Sequence, residues 1–190
     1  KADLLIGNNV LAHVPDNNDF IRGMKIMLND KGVITMEFPH LLKLIEENQF
    51  DTIYHEHFSY LSLYTVKKMF EYHGLRIFDV EELPTHGGSL RVYATHLENN
   101  DLKTEDAVNY VLEKEQMYGL RQVDLYTTFQ QKSEQVKNNL LTFLLEAKQE
   151  NKKVVAYGAA AKGNTLLNFA GIKQDLLPSC INQSDIVIVD

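Results

Sequence analysis

Between Asp51 and Tyr60 the chain reads Asp-Thr-Ile-Tyr-His-Glu-His-Phe-Ser-Tyr. A phenol, two imidazoles and a carboxylate follow one another at Tyr54, His55, Glu56 and His57. Each of these groups can hold or move a proton, and an imidazole titrates near neutrality without help from its surroundings. Such a set suits general acid–base work. The four residues lie between a helical run, Leu41 to Asn48, and an apolar run, Leu61 to Phe70. They therefore fall on a connection, where reactive groups concentrate, and they are costly to bury without partners. A polar turn with incidental histidines is the plain alternative. A zinc site at His55 and His57 is a weak reading, because two histidines lack the third ligand that such sites require.

Other candidates are more scattered. Asn9 follows the apolar run Leu4-Leu5-Ile6, at the carboxyl end of an expected strand, where open α/β sheets bind ligands. Asn8 and Asn9 also suit a simple turn. His13 sits among Val10, Leu11 and Val14. His86, with Gly87 and Gly88, falls in an expected hairpin turn. Gly158-Ala-Ala-Ala-Lys162-Gly163-Asn164-Thr165 leads from an apolar run into a helix through small residues. That arrangement presents helix N-terminal amides to an anion, and Lys162 adds a positive charge. Ala160 stands where a dinucleotide fingerprint has its second glycine, and the loop is not a Walker A loop. A tight packing turn is the alternative. His40 and His96 show no constellation, His73 reads as a helix C-terminal cation, and Tyr60, Tyr64 and Tyr72 read as core or rim aromatics.

The elements that must position these groups follow from periodicity. The run at 4–6 reads as a buried parallel strand. Phe20, Ile21, Met24, Met27 and Leu28 recur at helical steps and predict a helix over about 18–28. Asn29 to Gly32 reads as a turn and Val33 to Phe38 as a strand stopped by Pro39. Strand, helix, strand in this order is half of a doubly wound α/β sheet. A short helix is expected over 41–47, then one over 66–73 capped by Thr65 and closed by Gly74. Leu75 to Val80 and Ser89 to Ala94 predict an antiparallel hairpin. From 104 to 153 the text is charged and nearly free of Gly and Pro, and predicts helices near 104–118 and 123–150. Val154 to Tyr157 and Asp185 to Asp190 read as strands, with a helix from Leu166 to Phe169 between them. The division expected is 1–98, a bridging helical segment over 99–153, and a partial third region over 154–190.

Composition sets the limits. The chain has 190 residues, 44% of them hydrophobic, enough for one good core or two small ones. A net charge of −7 with scattered Lys and Arg argues against a nucleic-acid partner. One cysteine, Cys180, excludes an internal disulfide framework and a Cys-rich zinc site. No apolar run approaches the ~20 residues of a membrane helix. The first residue is Lys, with no signal-peptide pattern. The expectation is a piece of a longer, cytoplasmic protein.

Five strings together resemble a known family. They are Asn9 to His13, Glu37-Phe-Pro39, Asp51 to His57, Pro84 to Arg91 and Tyr157 to Asn164. In this order they are similar to the S-adenosylmethionine-dependent sugar C-methyltransferases, which act on nucleotide-linked keto-deoxysugars. The likeness covers the chain up to about Ile172 and fades over Cys180 to Asp190. It implies an α/β fold: the second half of a class I methyltransferase sheet with its terminal antiparallel hairpin, a helical connector, and the start of a C-terminal Rossmann-like domain. The family's zinc-binding N-terminal domain and glycine-rich cofactor loop would lie outside this chain, which is expected to be inactive alone and to bind the cofactor poorly. The resemblance makes His57 the base that removes a proton next to the sugar ketone. Tyr54 and His13 would donate to the ketone oxygen, and Glu56 would orient an imidazole or bind the sugar. Asn9 would meet S-adenosylmethionine. His86, Arg91, Lys162 and Asn164 would contact the substrate, Arg91 and Lys162 at its diphosphate. No metal is required of this chain. Two other functions stay open: a keto-sugar isomerase or epimerase using the same base, and a nucleotide-binding module without catalysis.

Overall fold

Leu4-Leu5-Ile6 does form a strand, β1 (Ala2–Asn8), and it pairs in parallel with β2 (Leu28–Pro39). The computed structural model describes residues 1–158 and 161–178, and the backbone pairing of 180–181. Helix α1 (Asn17–Met27) makes the crossover between the two strands, with Asp16 as its N-cap accepting from the Asp19 amide. Ile21 and Met24 bury the inner face of α1. β1 is an edge of the four-stranded sheet, and its Leu4 and Ile6 are exposed rather than buried on both faces. The expected turn at Asn29 to Gly32 is absorbed into β2 as an irregularity. Ala2 pairs with Leu28 and Leu4 with Val33, so β2 carries the extra residues within the strand instead of ending.

β3 (Leu75–Leu83) and β4 (Ser89–His96) form the hairpin that the sequence predicts, but β4 inserts between β2 and β3. The sheet order is β1-β2-β4-β3, with β4 antiparallel to both neighbours. The turn between β3 and β4 uses Gly88 at φ 108°, a conformation a side chain rarely adopts. Ile34, Met36 and Phe38 alternate into the core and meet Val92, Ala94 and Leu90, all almost fully buried.

Helix α2 (Leu41–Glu46) follows β2 directly. Helix α3 spans Leu63–Tyr72, three residues earlier than the sequence suggested. Its N-cap is Ser62, whose hydroxyl accepts from the Thr65 amide, so Thr65 lies inside the helix. Helix α4 (Asp106–Tyr118) was expected in a bridge. It packs instead against β3 and α3, because Val108 and Val111 join the same core as Val66 and Phe70. These elements make one compact unit, Lys1–Gln49 with Glu56–Tyr126.

The second unit is Phe50–His55 with Thr127–Asp190. It holds α5 (Phe129–Gln149), the short strand β5 (Ala156–Tyr157) and α6 (Ala161–Ala170); β5 pairs in parallel with β6 (Cys180–Ile181). The run 154–157 thus yields a strand of two residues. Alanine-rich text starts α6 at Ala161 instead of Leu166, so Lys162 and Asn164 sit in its first turn and not in a loop before it. Phe50 packs on Phe169 of α6 with ring centroids 5.2 Å apart, which docks the 50–55 segment on that helix. The expected strand 185–190 lies outside the described residues. No described helix is long and apolar enough to cross a membrane.

Candidate active site

The carboxyl ends of β1 and β2 gather most of the candidate residues of the first unit. Asn8 is paired with Glu37 in the β1–β2 ladder, and the next amide, Asn9, donates to the Glu37 carbonyl at 2.8 Å. Glu37 is in turn the direct cross-strand partner of Arg91 in β4, which also faces Glu81 in β3. Register therefore produces the ion pairs. Arg91 Nη2 donates to Glu37 Oε2 at 2.8 Å and Nη1 lies 3.6 Å from Glu81. Thr85 donates its hydroxyl to the other Glu37 oxygen at 2.9 Å. Glu37 is 5% exposed. Burial pushes its carboxyl up, but hydrogen bonds from Arg91 and Thr85, with the nearby charges of Arg91 and His86, outweigh that and hold it below its ordinary value.

One step outward, Asn9 and His86 meet. Asn9 Nδ2 and His86 Nε2 are 3.0 Å apart, with the amide donating when the ring proton is on Nδ1. Both residues adopt left-handed backbone, Asn9 at φ 56° and His86 at φ 54°. Such strain persists only where surrounding structure enforces it. Here the enforcement includes Gln49 Nε2 donating to the Gly87 carbonyl at 2.6 Å and Ser89 Oγ donating to the Thr85 carbonyl at 3.0 Å. The Asn9 side-chain oxygen is buried and has no hydrogen-bond partner among the described residues.

The second group forms around the turn Leu11–His13 that follows β1. The amides of Phe58 and Ser59 both donate to the Ala12 carbonyl, at 2.9 and 3.2 Å, and Asn17 Nδ2 donates to Ser59 Oγ at 2.9 Å. These bonds bring His57 beside His13, ring centroids 4.8 Å apart at 66°. Tyr60 closes the other side in an edge contact at 6.2 Å. His57 and His13 are both half-buried. Glu56 is exposed. Tyr54, half-buried, and His55, exposed, belong to the 50–55 segment of the second unit.

The structure thus joins His13 with His57, and Asn9 with His86. It places Arg91 in a network with Glu37 and Glu81. Lys162 and Asn164 belong to the second unit, where Asn164 lines a largely apolar cavity of about 300 Å³ with Leu140, Phe143, Leu144, Val155 and Leu167. Among the described residues no cluster of His, Cys, Asp and Glu is suited to a metal ion.

Two residues escaped the sequence reading. His40, without a constellation in the sequence, is 2% exposed, and its Nε2 lies 2.8 Å from Glu115 Oε1. Glu115 is also 2% exposed and accepts from the amides of Leu63 at 2.6 Å and Tyr64 at 3.0 Å. A signal existed: Glu115 continues the helical stripe of Val108 and Val111, where a charge is out of place unless partnered.

A family model described as the C-methyltransferase C-terminal domain matches residues 84–186, more than half of the chain. The chain belongs to the C-methyltransferase family. The match runs past Ile172, where the likeness was expected to fade, and extends to residue 186. C-methyltransferase NovU of Streptomyces niveus is 35% identical over 179 residues, covering 94% of this chain and 42% of that protein. The chain therefore spans less than half the length of this C-methyltransferase relative. The solved structure of magnesium protoporphyrin IX methyltransferase (ChlM) from Synechocystis PCC 6803 with bound SAH aligns at 15% identity and a TM-score of 0.40, over 50% of this chain and 45% of that one.

Proposed function

We propose that this chain contributes the proton-handling half of an S-adenosylmethionine-dependent C-methyltransferase, which methylates the carbon next to the ketone of a nucleotide-linked deoxysugar. The observation that carries the reading is the pairing of His57 with His13 at the carboxyl end of β1, on a loop pinned to the Ala12 carbonyl. Family membership supports the reaction class.

The cofactor fits one feature of this chain. The Asn9 side-chain oxygen is a buried acceptor with no partner among the described residues, suited to an amino or ammonium donor such as S-adenosylmethionine carries. When bound, S-adenosylmethionine supplies an electrophilic methyl group on a positive sulfur. The residues of this chain prepare the nucleophile. His57 takes the proton from the carbon beside the ketone, and the C–H electron pair moves toward the ketone oxygen as it gains negative charge. His13, in edge contact with His57, donates to that oxygen, as does Tyr54 from earlier in the same peptide. Glu56 orients an imidazole or holds a sugar hydroxyl. His86 borders the sugar, and Arg91, Lys162 and Asn164 serve the nucleotide diphosphate side; the carboxylates that already hold Arg91 leave it the smaller share of that role.

Incubating the full-length protein with a nucleotide-linked keto-deoxysugar and S-adenosylmethionine tests the reading. A product heavier by one methyl on the α-carbon is the expected result. Loss or inversion of the α-hydrogen without methyl gain would instead make it an epimerase, and the proposal would fail.

A further inference from the structure

Among the described residues, the loop that carries His57 is anchored beside the histidine and again at its far end. The near anchor is the Ala12 carbonyl, which receives Phe58 and Ser59. The far anchor lies where the loop enters α3. A helix leaves its first four amides without partners. Here three of them are accounted for: Leu63 and Tyr64 donate to Glu115 and Thr65 to the Ser62 hydroxyl at 3.1 Å, after which Val66, donating to the Ser62 carbonyl at 3.1 Å, begins the helix's own ladder.

Glu115 comes from α4, more than fifty residues further along the chain, and does more than cap. The same Oε1 that receives the Leu63 amide also receives His40 Nε2. His40 sits at the junction of β2 and α2, and it forms an isolated bridge with Leu61, with the Leu41 amide donating to the Leu61 carbonyl at 2.9 Å. The His40 amide also donates to the Gly88 carbonyl at 3.0 Å, next to the His86 turn. One buried carboxylate thus ties the end of the His57 loop to β2, and through β2 to the hairpin turn. A short connection then leads to the base: Leu61 is held by His40 and Leu41, Tyr60 precedes Leu61, and the Tyr60 ring sits against the His57 ring.

Burying a carboxylate beside an imidazole is expensive unless each polar atom is matched. Ser62, the cap that α3 carries itself, serves the helix through the Thr65 amide. Glu115 instead arrives from another helix and meets a histidine from a third element. His40 Nδ1 is buried with no hydrogen-bond partner among the described residues, so the ring engages this carboxylate through Nε2 alone.

We infer that Glu115 is a positioning residue for His57: through His40 and the first amides of α3 it fixes the far end of the loop on which the base is carried. This rests on the reading of His57 as the base. The side chains of Glu115 and His40 touch no proposed substrate atom, so their effect is on the aim of the imidazole. A misplacement of about 1 Å costs up to ~10²-fold in rate.

The test uses the full-length protein with Glu115→Gln, which keeps the size and one acceptor but turns a donor toward an amide. Two further variants are His40→Leu, which removes the donor to Glu115, and His40→Gln, which restores one near the position of Nε2. Turnover, KM for the keto-sugar and the NMR resonances of the His57 ring are compared at a temperature where circular dichroism shows each variant folded. The expected result is a kcat lowered about ten- to a hundredfold in Glu115→Gln and His40→Leu, with a smaller change in KM. The His57 resonances move in both, and His40→Gln recovers most of the rate. Unchanged kcat and unchanged His57 resonances in folded Glu115→Gln would overturn the inference, as would the same outcome in His40→Leu if Glu115→Gln does not fold. His57→Ala keeping normal turnover would remove the base assignment instead, whatever the Glu115 variants do to the ring resonances.

Discussion

Two groups of side chains meet the end of β1, and they are built in opposite ways. At the strand ends, Glu37, Arg91, Glu81 and Thr85 are matched across the sheet by register, with Glu37 5% exposed and both of its oxygens engaged. Around His57 the neighbours are rings, His13 and Tyr60, and the fixing is done by backbone amides of the next two residues. The first group spends its charges on holding strands together. The second is held by backbone amides that donate to the Ala12 carbonyl, with the imidazoles of His57 and His13 in edge contact. On the proposed function, stability and proton transfer therefore fall to different residues.

That contrast is broken most readily by exchanging the two signatures. His57→Ala in the full-length protein is expected to lower kcat by ~10²–10⁴-fold, the ordinary cost of losing a general base, while sugar KM changes little. Steady-state kinetics on the keto-sugar measure it. If the melting temperature falls more than the rate does, the loop is structural and the contrast collapses. Arg91→Ala should have its larger effect on stability. It leaves the buried Glu37 carboxylate without its charged donor, for a loss of about 1–3 kcal/mol in urea unfolding. Ser62→Ala removes a cap from α3 and should cost about 1 kcal/mol, read in the same titration.

The smallest effect sharpens the comparison through pH. The Glu37 carboxyl is held below its ordinary value in the folded protein, whereas an unfolded glutamate titrates near ~4.3. The pairing therefore stabilises the fold above that pH, and the contribution disappears as pH falls through the lower folded value. Glu37→Gln should be less stable than the parent at neutral pH, with the gap narrowing below about pH 4. Melting curves across that range check it; a constant gap would mean that the carboxylate charge is not what matters.

How much of this was legible in the sequence differs between the two groups. Alternation and helical steps fix β1, α1, the later half of β2 and the β3–β4 hairpin, because each buries one face against a common core. The residues around His57 stood out by type alone. The strand-end network did not: Glu37 and Arg91 are far apart in sequence, and only the insertion of β4 beside β2 makes them partners. Propensity could not tell that β2 absorbs Asn29 to Gly32, since the ladder with β1 overrides a turn-forming composition. The start of α3 was misread because Ser62 caps it three residues before Thr65, and the amides between are served by Glu115 from a distant helix. Glu115 carried a visible mark, a carboxylate on the stripe of Val108 and Val111, but its partner His40 carried none.

The central claim is that the His57 imidazole removes the proton beside the ketone. It is tested most directly by following hydrogen exchange at that carbon when the full-length protein meets its nucleotide-linked keto-sugar in deuterium oxide, with no methyl donor present. The account predicts steady deuterium uptake with the parent protein and uptake slowed by ~10²-fold or more with His57→Ala. Uptake at the parental rate in the variant would contradict it.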